Sequence, residues 1–163
     1  GSYGVAVQKG KNAEFLELFN AGLTNIETNG VYDQILSTYL ADHKATTQTG
    51  KQIESVKGKK FIFATDTTYA PFEFQAENGE YIGIDLDLIQ AIAKNQGFEY
   101  EMKSLGFNAA VQALESGQVD AVIAGMTITE ERQKKFDFSI KRIVLECIYI
   151  MFLILIVLKF DKI

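Results

Sequence analysis

The sequence predicts an α/β fold, a mainly parallel sheet with helices on both faces. Three observations predict it. Short β-rich runs alternate with helical stretches from residue 60 onwards, and strands that alternate with helices join into a parallel sheet through right-handed crossovers. The stretch 119–124 is a nearly unbroken apolar run, suited to a central strand buried on both faces. Further towards the start, Phe15, Leu16, Phe19, Leu23 and Ile26 recur at helical spacing, which gives one apolar stripe able to cover a sheet.

The opening Gly1-Ser2 is set apart from the fold argument as a cloning remnant or native sequence. Residues 3–7 alternate like a strand, and Lys9-Gly10-Lys11-Asn12 punctuates before the first helix, with Asn12 as its expected N-cap. Asn29-Gly30 ends that helix. A second, shorter one follows with Tyr32, Ile35, Leu36, Tyr39 and Leu40 as its buried face. The composition then turns to Thr, Gln, Lys, Ser and Gly through 43–59, where Ile53 and Val56 are the large apolar residues. That composition is a linker's. Beyond it, 60–65 and 72–75 read as strands, and 77–80 as the turn leading to Tyr81-Ile82. Residues 85–96 are helical through Leu86, Ile89, Ile92 and Ala93, and end at Gly97. Residues 98–103 form a further strand and 107–116 a helix stopped by Gly117.

Composition excludes several classes. Apolar residues make up 47% of the 163 and charged residues 23%, ordinary globular values that argue against disorder. The net charge of -5, with basic residues scattered among carboxylates, is unsuited to tracking phosphates, so no nucleic-acid partner is expected. One cysteine, Cys147, and one histidine, His43, provide neither a disulfide framework nor a zinc site. No metal or cofactor is expected.

In open α/β sheets the ligand sits beyond the carboxyl ends of the strands. The loops there hold Asp66 and Tyr69, then Phe107, then Gly125, Thr127 and Thr129. Arg132 follows at the start of a helix whose expected N-cap is Thr129, with Glu130 and Glu131 at its positive end. A guanidinium in that position can grip a carboxylate through two hydrogen bonds. The set matches a free amino acid: Arg132 for the α-carboxylate, Gly125 and Thr127 around the ammonium or carboxylate, and the two rings around the side-chain stem. Asp85 and Asp87, at i and i+2, point to different sides of a helix. Helix capping, rather than an acid–base dyad, is the expected role for them.

Three segments now carry a resemblance: Ala64-Thr-Asp-Thr-Thr-Tyr-Ala-Pro-Phe-Glu-Phe, Tyr81-Ile-Gly-Ile-Asp-Leu-Asp-Leu-Ile, and Gly125-Met-Thr-Ile-Thr-Glu-Glu-Arg. They resemble the first lobe of polar-amino-acid-binding proteins, the solute receptors of ABC importers, which have the type II periplasmic-binding-protein-like fold. Carried over residue by residue, the ligand contacts fall on Asp66, Tyr69, Phe107, Gly125, Thr127 and Arg132. In glutamine-binding members the residue matching Asp66 meets the side-chain amide, and the matching rings clamp the stem. Tyr3-Gly-Val-Ala-Val-Gln-Lys-Gly, the helix after it and Asn29-Gly-Val-Tyr-Asp-Gln-Ile-Leu-Ser-Thr-Tyr-Leu resemble the return strand and closing helices of such a receptor.

The resemblance therefore implies a tandem arrangement. Residues 1–42 close a preceding binding domain, 43–59 link, 60–139 form the first lobe of a second domain, and 140–163 are an aberrant apolar tail. The closing helices at 1–42 are expected to cover the lobe. No second lobe is recognised, and a reading-frame shift is the expected origin of the tail. Within it only 147–158 is uninterrupted and apolar, short against the about 20 residues of a bilayer-spanning helix. Self-association through this tail is expected. The implied function is binding of glutamine or a related polar amino acid at the extracellular face of the membrane, or the periplasm of a two-membrane organism, for delivery to an ABC permease. A sensory ectodomain of the same fold and a non-functional fragment are the alternatives. A dehydratase-like enzyme is a further one, but the site loops hold no histidine or cysteine to act as acid or base.

Overall fold

The computed structural model describes residues 2–40 and 59–140. The expected linker, Lys59 apart, and the expected tail, Ile140 apart, lie outside the described residues. The elements in chain order are β1 (Ala6–Gln8), α1 (Ala13–Thr28), α2 (Val31–Tyr39), β2 (Lys60–Thr65), β3 (Thr68–Tyr69), β4 (Glu73–Gln75), β5 (Tyr81–Ile82), α3 (Ile84–Gln96), β6 (Glu99–Ser104), α4 (Phe107–Glu115), β7 (Ala121–Val122), α5 (Glu130–Lys135) and β8 (Phe136–Phe138).

The main sheet has the order β6-β2-β7-β1-β8. β2 runs parallel to both β6 and β7, as the strand–helix alternation predicts. β1 runs antiparallel to both β7 and β8, so the strand contributed by the start of the chain makes the sheet mixed. A second, three-stranded antiparallel sheet of β3, β4 and β5 sits beside the start of α3. The apolar run at 119–124 provides the central strand β7, although only Ala121–Val122 enters its ladder.

Alternation along the strands divides the core in two. Val5, Val7, Phe63, Ala121 and Ile123 face a cluster with α1, α2 and α3. Ala6, Ala64, Val122 and Ala124 face the opposite cluster, with Ala110, Ala113 and Leu114 of α4. This is the period of two that a strand imposes, and it puts helices on both faces of the sheet.

The first helices cover the lobe as expected. Phe15 of α1 is 1% exposed, with its ring 4.9 Å from that of Phe61, 5.3 Å from Phe63 and 6.2 Å from Phe98. α1 approaches α3 so closely at Gly22 that a Cβ there would lie 2.6 Å from Ile92 Cγ2. Polar contacts tie both first helices to α3. Asn25 Nδ2 donates to Asn95 Oδ1 at 3.0 Å, and the Tyr39 hydroxyl donates to Asp87 at 2.9 Å.

One cap differs from expectation. Asn12 occupies the N-cap position of α1, but its side chain makes no capping bond and its backbone is left-handed, at φ 55°. Asparagine tolerates that region, and the turned backbone sends Nδ2 to the Asp120 carbonyl instead.

Candidate functional site

β2, β6 and β7 end on the same side of the sheet, so the segments that follow them converge. Asp66 follows β2 directly. Its Oδ1 accepts hydrogen bonds from the Thr68 amide at 3.1 Å and the Thr68 hydroxyl at 2.7 Å. Its Oδ2 accepts from the Phe107 amide at 3.3 Å. The N-cap position of α4 is Gly106, which has no side chain to offer. Asp66 thus supplies from another loop the carboxylate that the exposed amides of a helix start attract.

Arg132 is placed by the helix start expected for it. The Thr129 hydroxyl accepts the Arg132 amide at 3.2 Å, the N-cap bond that sequence predicts. The guanidinium turns back over its own loop, where Nη1 donates to the Thr127 carbonyl at 2.8 Å. Its carbon lies 5.4 Å from the centre of the Phe107 ring, within cation–π range. One of five N–H donors is used by Thr127, and the planar fork can still receive a carboxylate. An open groove of about 760 Å³ is lined here by Phe107, Val111, Thr127, Arg132 and Phe136.

Tyr69 and Gly125 form a second contact pair and do not line that groove. The Tyr69 ring stacks on Phe72 at 5.2 Å and 19° and lies over Gly125, where a Cβ would be 2.7 Å from ring Cε1. Gly125 has φ +52°, so glycine answers both the backbone and the space there. Phe107, Thr127 and Arg132 therefore share one groove, Asp66 joins them through the Phe107 amide, and Tyr69 with Gly125 stands beside them.

Three polar residues at this site escaped the sequence reading. Tyr3 bridges to Thr127 in antiparallel fashion, packs its ring 5.8 Å from Phe72 and bonds the Tyr69 hydroxyl. Burial, then that bond, then the nearby acids Glu73 and Asp85 push the Tyr69 phenol above its ordinary value. The other two are those acids themselves. Glu73 is 0% and Asp85 1% exposed. The capping role expected of Asp85 and Asp87 is corrected: the N-cap position of α3 is Gly83, and the helix has no side-chain cap. Its first amides bond the Pro71 and Phe72 carbonyls, a Cβ at Gly83 would lie 2.1 Å from the Phe72 oxygen, and Asp85 is thereby drawn inward. Its Oδ2 accepts the Gly125 amide at 3.2 Å, while Asp87 is held by Tyr39. Only the contact of α3 with β4 reveals this, because strand alternation alone cannot show that the face opposite Phe72 is also buried.

Residues 61–149 match the bacterial extracellular solute-binding proteins, family 3. The chain belongs to this family. Among relatives of this chain, the arginine-binding extracellular protein ArtP of Bacillus subtilis (strain 168) is 46% identical over 81 residues, 50% of this chain and 31% of that protein. The L-cystine-binding protein TcyJ of Escherichia coli (strain K12) is 39% identical over 78 residues, 48% of this chain and 29% of that protein. The chain thus spans less than a third of the length of these curated relatives. Substrate binding domain 2 of Lactococcus lactis GlnP, solved in an open conformation, is 44% identical with a TM-score of 0.49, covering 52% of this chain and 36% of that one. All six residues expected at the site fall inside the family match, as do Glu73 and Asp85, whereas Tyr3 lies outside it.

Proposed function

We propose that this lobe is one wall of an amino-acid receptor serving an ABC importer at the extracellular face of the membrane, and that it binds a free polar amino acid, glutamine in the first instance. The observation that carries the reading is the position of Phe107 between opposite charges. Its ring touches the Arg132 guanidinium and its amide touches the Asp66 carboxylate. A zwitterion whose carboxylate meets Arg132 would lay its stem along the ring and turn side-chain N–H donors towards Asp66. The work is binding and delivery to a permease, with no bond made or broken. Arginine is the second reading, because a guanidinium also suits Asp66 and several relatives are named for arginine.

Residues 1–42 act, in this reading, as the closing segment of a preceding binding domain that docks on the next lobe. The packing of β1 between β7 and β8 and of α1 against α3 supports it.

A single wall binds weakly. A hydrogen bond to a charged group contributes about 1.5–3 kcal/mol, while the step from micromolar to millimolar affinity is about 4 kcal/mol. Titration of the 163-residue chain, followed by amide NMR shifts, is expected to show millimolar binding of glutamine with shifts at Thr127 and Arg132. Arg132→Ala abolishes it, and Asp66→Asn relaxes discrimination against glutamate. Shifts that survive Arg132→Ala, or no shifts with any amino acid, would overturn the assignment.

A further inference from the structure

Behind the site loops lie two carboxyl groups that ligand binding does not use. Glu73 and Asp85 are both buried, and the charges acting on Glu73 are further carboxylates, Asp85 and Asp66. The groups packed around them are acids or phenols too: Asp66 from the loop after β2, Tyr69 from β3 and, through Tyr69, Tyr3. Asp87 of α3 is engaged by Tyr39. None of these supplies a compensating positive charge.

The hydrogen bonds leave one solution. Asp85 Oδ2 takes the Gly125 amide at 3.2 Å. Among the described residues, Asp85 Oδ1 and both oxygens of Glu73 receive no hydrogen from any other group, and the two carboxyls face each other. Two carboxylates cannot hydrogen-bond and repel at contact, whereas a carboxylic acid donates to a carboxylate through a strong, charge-assisted bond.

We propose that Glu73 and Asp85 share one proton at neutral pH and that the pair is the positioning unit for the Gly125 peptide of the ligand-binding loop. Glu73 carries the proton, its carboxyl raised first by burial and then by repulsion from Asp85. Asp85 carries the charge, because the Gly125 amide and the Glu73 proton both stabilise it against burial. Gly125 has no side chain to restrict its backbone, so the captured N–H is what sets its peptide plane, and a trans peptide then turns the Ala124 carbonyl to the opposite side. The seat of the Tyr69 ring over Gly125 follows from the same plane. Glu73 and Asp85 are positioning residues, and the ligand-binding role of the Gly125 loop rests on the function proposed above.

The sign of the pH dependence follows. A carboxyl raised in the fold contributes stability that is complete below its unfolded value, about 4.3, and is lost as pH rises towards its folded value. Relative to Glu73→Gln, which cannot titrate, the folding constant of the natural chain should fall about tenfold per pH unit above about pH 5.

The test uses the 163-residue chain, its Glu73→Gln and Glu73→Ala variants, infrared spectroscopy and the Gly125 amide resonance. A protonated-carboxyl stretch should be present at neutral pH in the natural chain and absent from Glu73→Gln. The Gly125 amide should keep its shift in Glu73→Gln, whose side-chain N–H still donates to Asp85, and move in Glu73→Ala. Absence of the carboxyl stretch, or equal Gly125 shifts in all three chains, would overturn the proposal. Should Glu73→Ala fail to fold, the infrared band and the pH slope against Glu73→Gln decide alone. No amino acid is added in any of these measurements, so their failure is distinct from a failure of the ligand assignment.

Discussion

On one face of the main sheet Val5, Val7, Phe63 and Ile123 meet α1, α2 and α3; on the other, the alternate residues Ala6, Ala64, Val122 and Ala124 meet α4. The first face is thick and ring-rich, with Phe15 at the centre of a group formed by Phe19, Phe61, Phe63 and Phe98. The second is thin, and three of its four strand residues are alanines. Small side chains let α4 lie close to the sheet, which brings its first turn within reach of Asp66 and its Phe107 ring beneath Arg132. The contrast teaches that stability is concentrated where the first segment of the chain docks, whereas the groove is built where the core is shallow. A groove that stays open gains from a scaffold anchored on its other side.

The severest way to break this arrangement is Phe15→Ala. Truncating a fully buried phenylalanine costs about 3–5 kcal/mol, and the ring pairs lost here add to the area term. The urea midpoint should drop steeply, and Phe61 and Phe98 should show the largest amide shifts. A change below about 1 kcal/mol would mean that the first helix is a loose cover and that the contrast between the faces is false.

Gly22→Ala sharpens the same contrast at the seam between α1 and α3. In an exposed helix interior, alanine is about 1 kcal/mol better than glycine. Here the new methyl meets Ile92 Cγ2 at 2.6 Å and Gln96 Cγ at 2.9 Å, and overpacking costs about 1–3 kcal/mol. The β-branched Ile92 is stiff, so the expected net is a loss of about 1–2 kcal/mol in urea denaturation. A gain in stability would show that the helices can separate without penalty.

On the groove side the effects should be smaller in stability and larger in geometry. Thr129→Ala removes the bond to the Arg132 amide and should cost about 1 kcal/mol. Because that cap seats the guanidinium over Phe107, the Phe107 ring resonances should move while the urea midpoint drops by only the several tenths of a molar that about 1 kcal/mol gives. A stability loss matching that of Phe15→Ala would refute the division of labour.

Much of the groove was legible because Asp66, Phe107, Thr127 and Arg132 come in order, each in a segment that follows a parallel strand. Asp66, Phe107 and Arg132 fell where open-sheet topology places ligand contacts, and Thr129 capped its helix as its type predicts. Asn12 and Asp85 were misassigned as caps for one reason: a polar residue at a helix start prefers capping only when no other partner competes. Asp120 offers Asn12 a carbonyl, and Gly125 offers Asp85 an amide 40 residues away.

The sequence by itself determined the succession of elements apart from β3 and β8, the stop at Gly97, the two buried faces of the run 119–124 and the six residues placed in the segments beyond the strands. These are local matters, decided by backbone preferences and by the periods of helix and strand. Tertiary structure decided the antiparallel course of β1, the contacts of Tyr3 with Thr127 and Phe72 and the pairing of Glu73 with Asp85. Each depends on which surface the chain meets after long loops close, and no local free energy encodes that. For the two acids the consequence is chemical as well as geometric, because a carboxyl becomes a proton donor only when burial and an acidic neighbour make its charged form too costly.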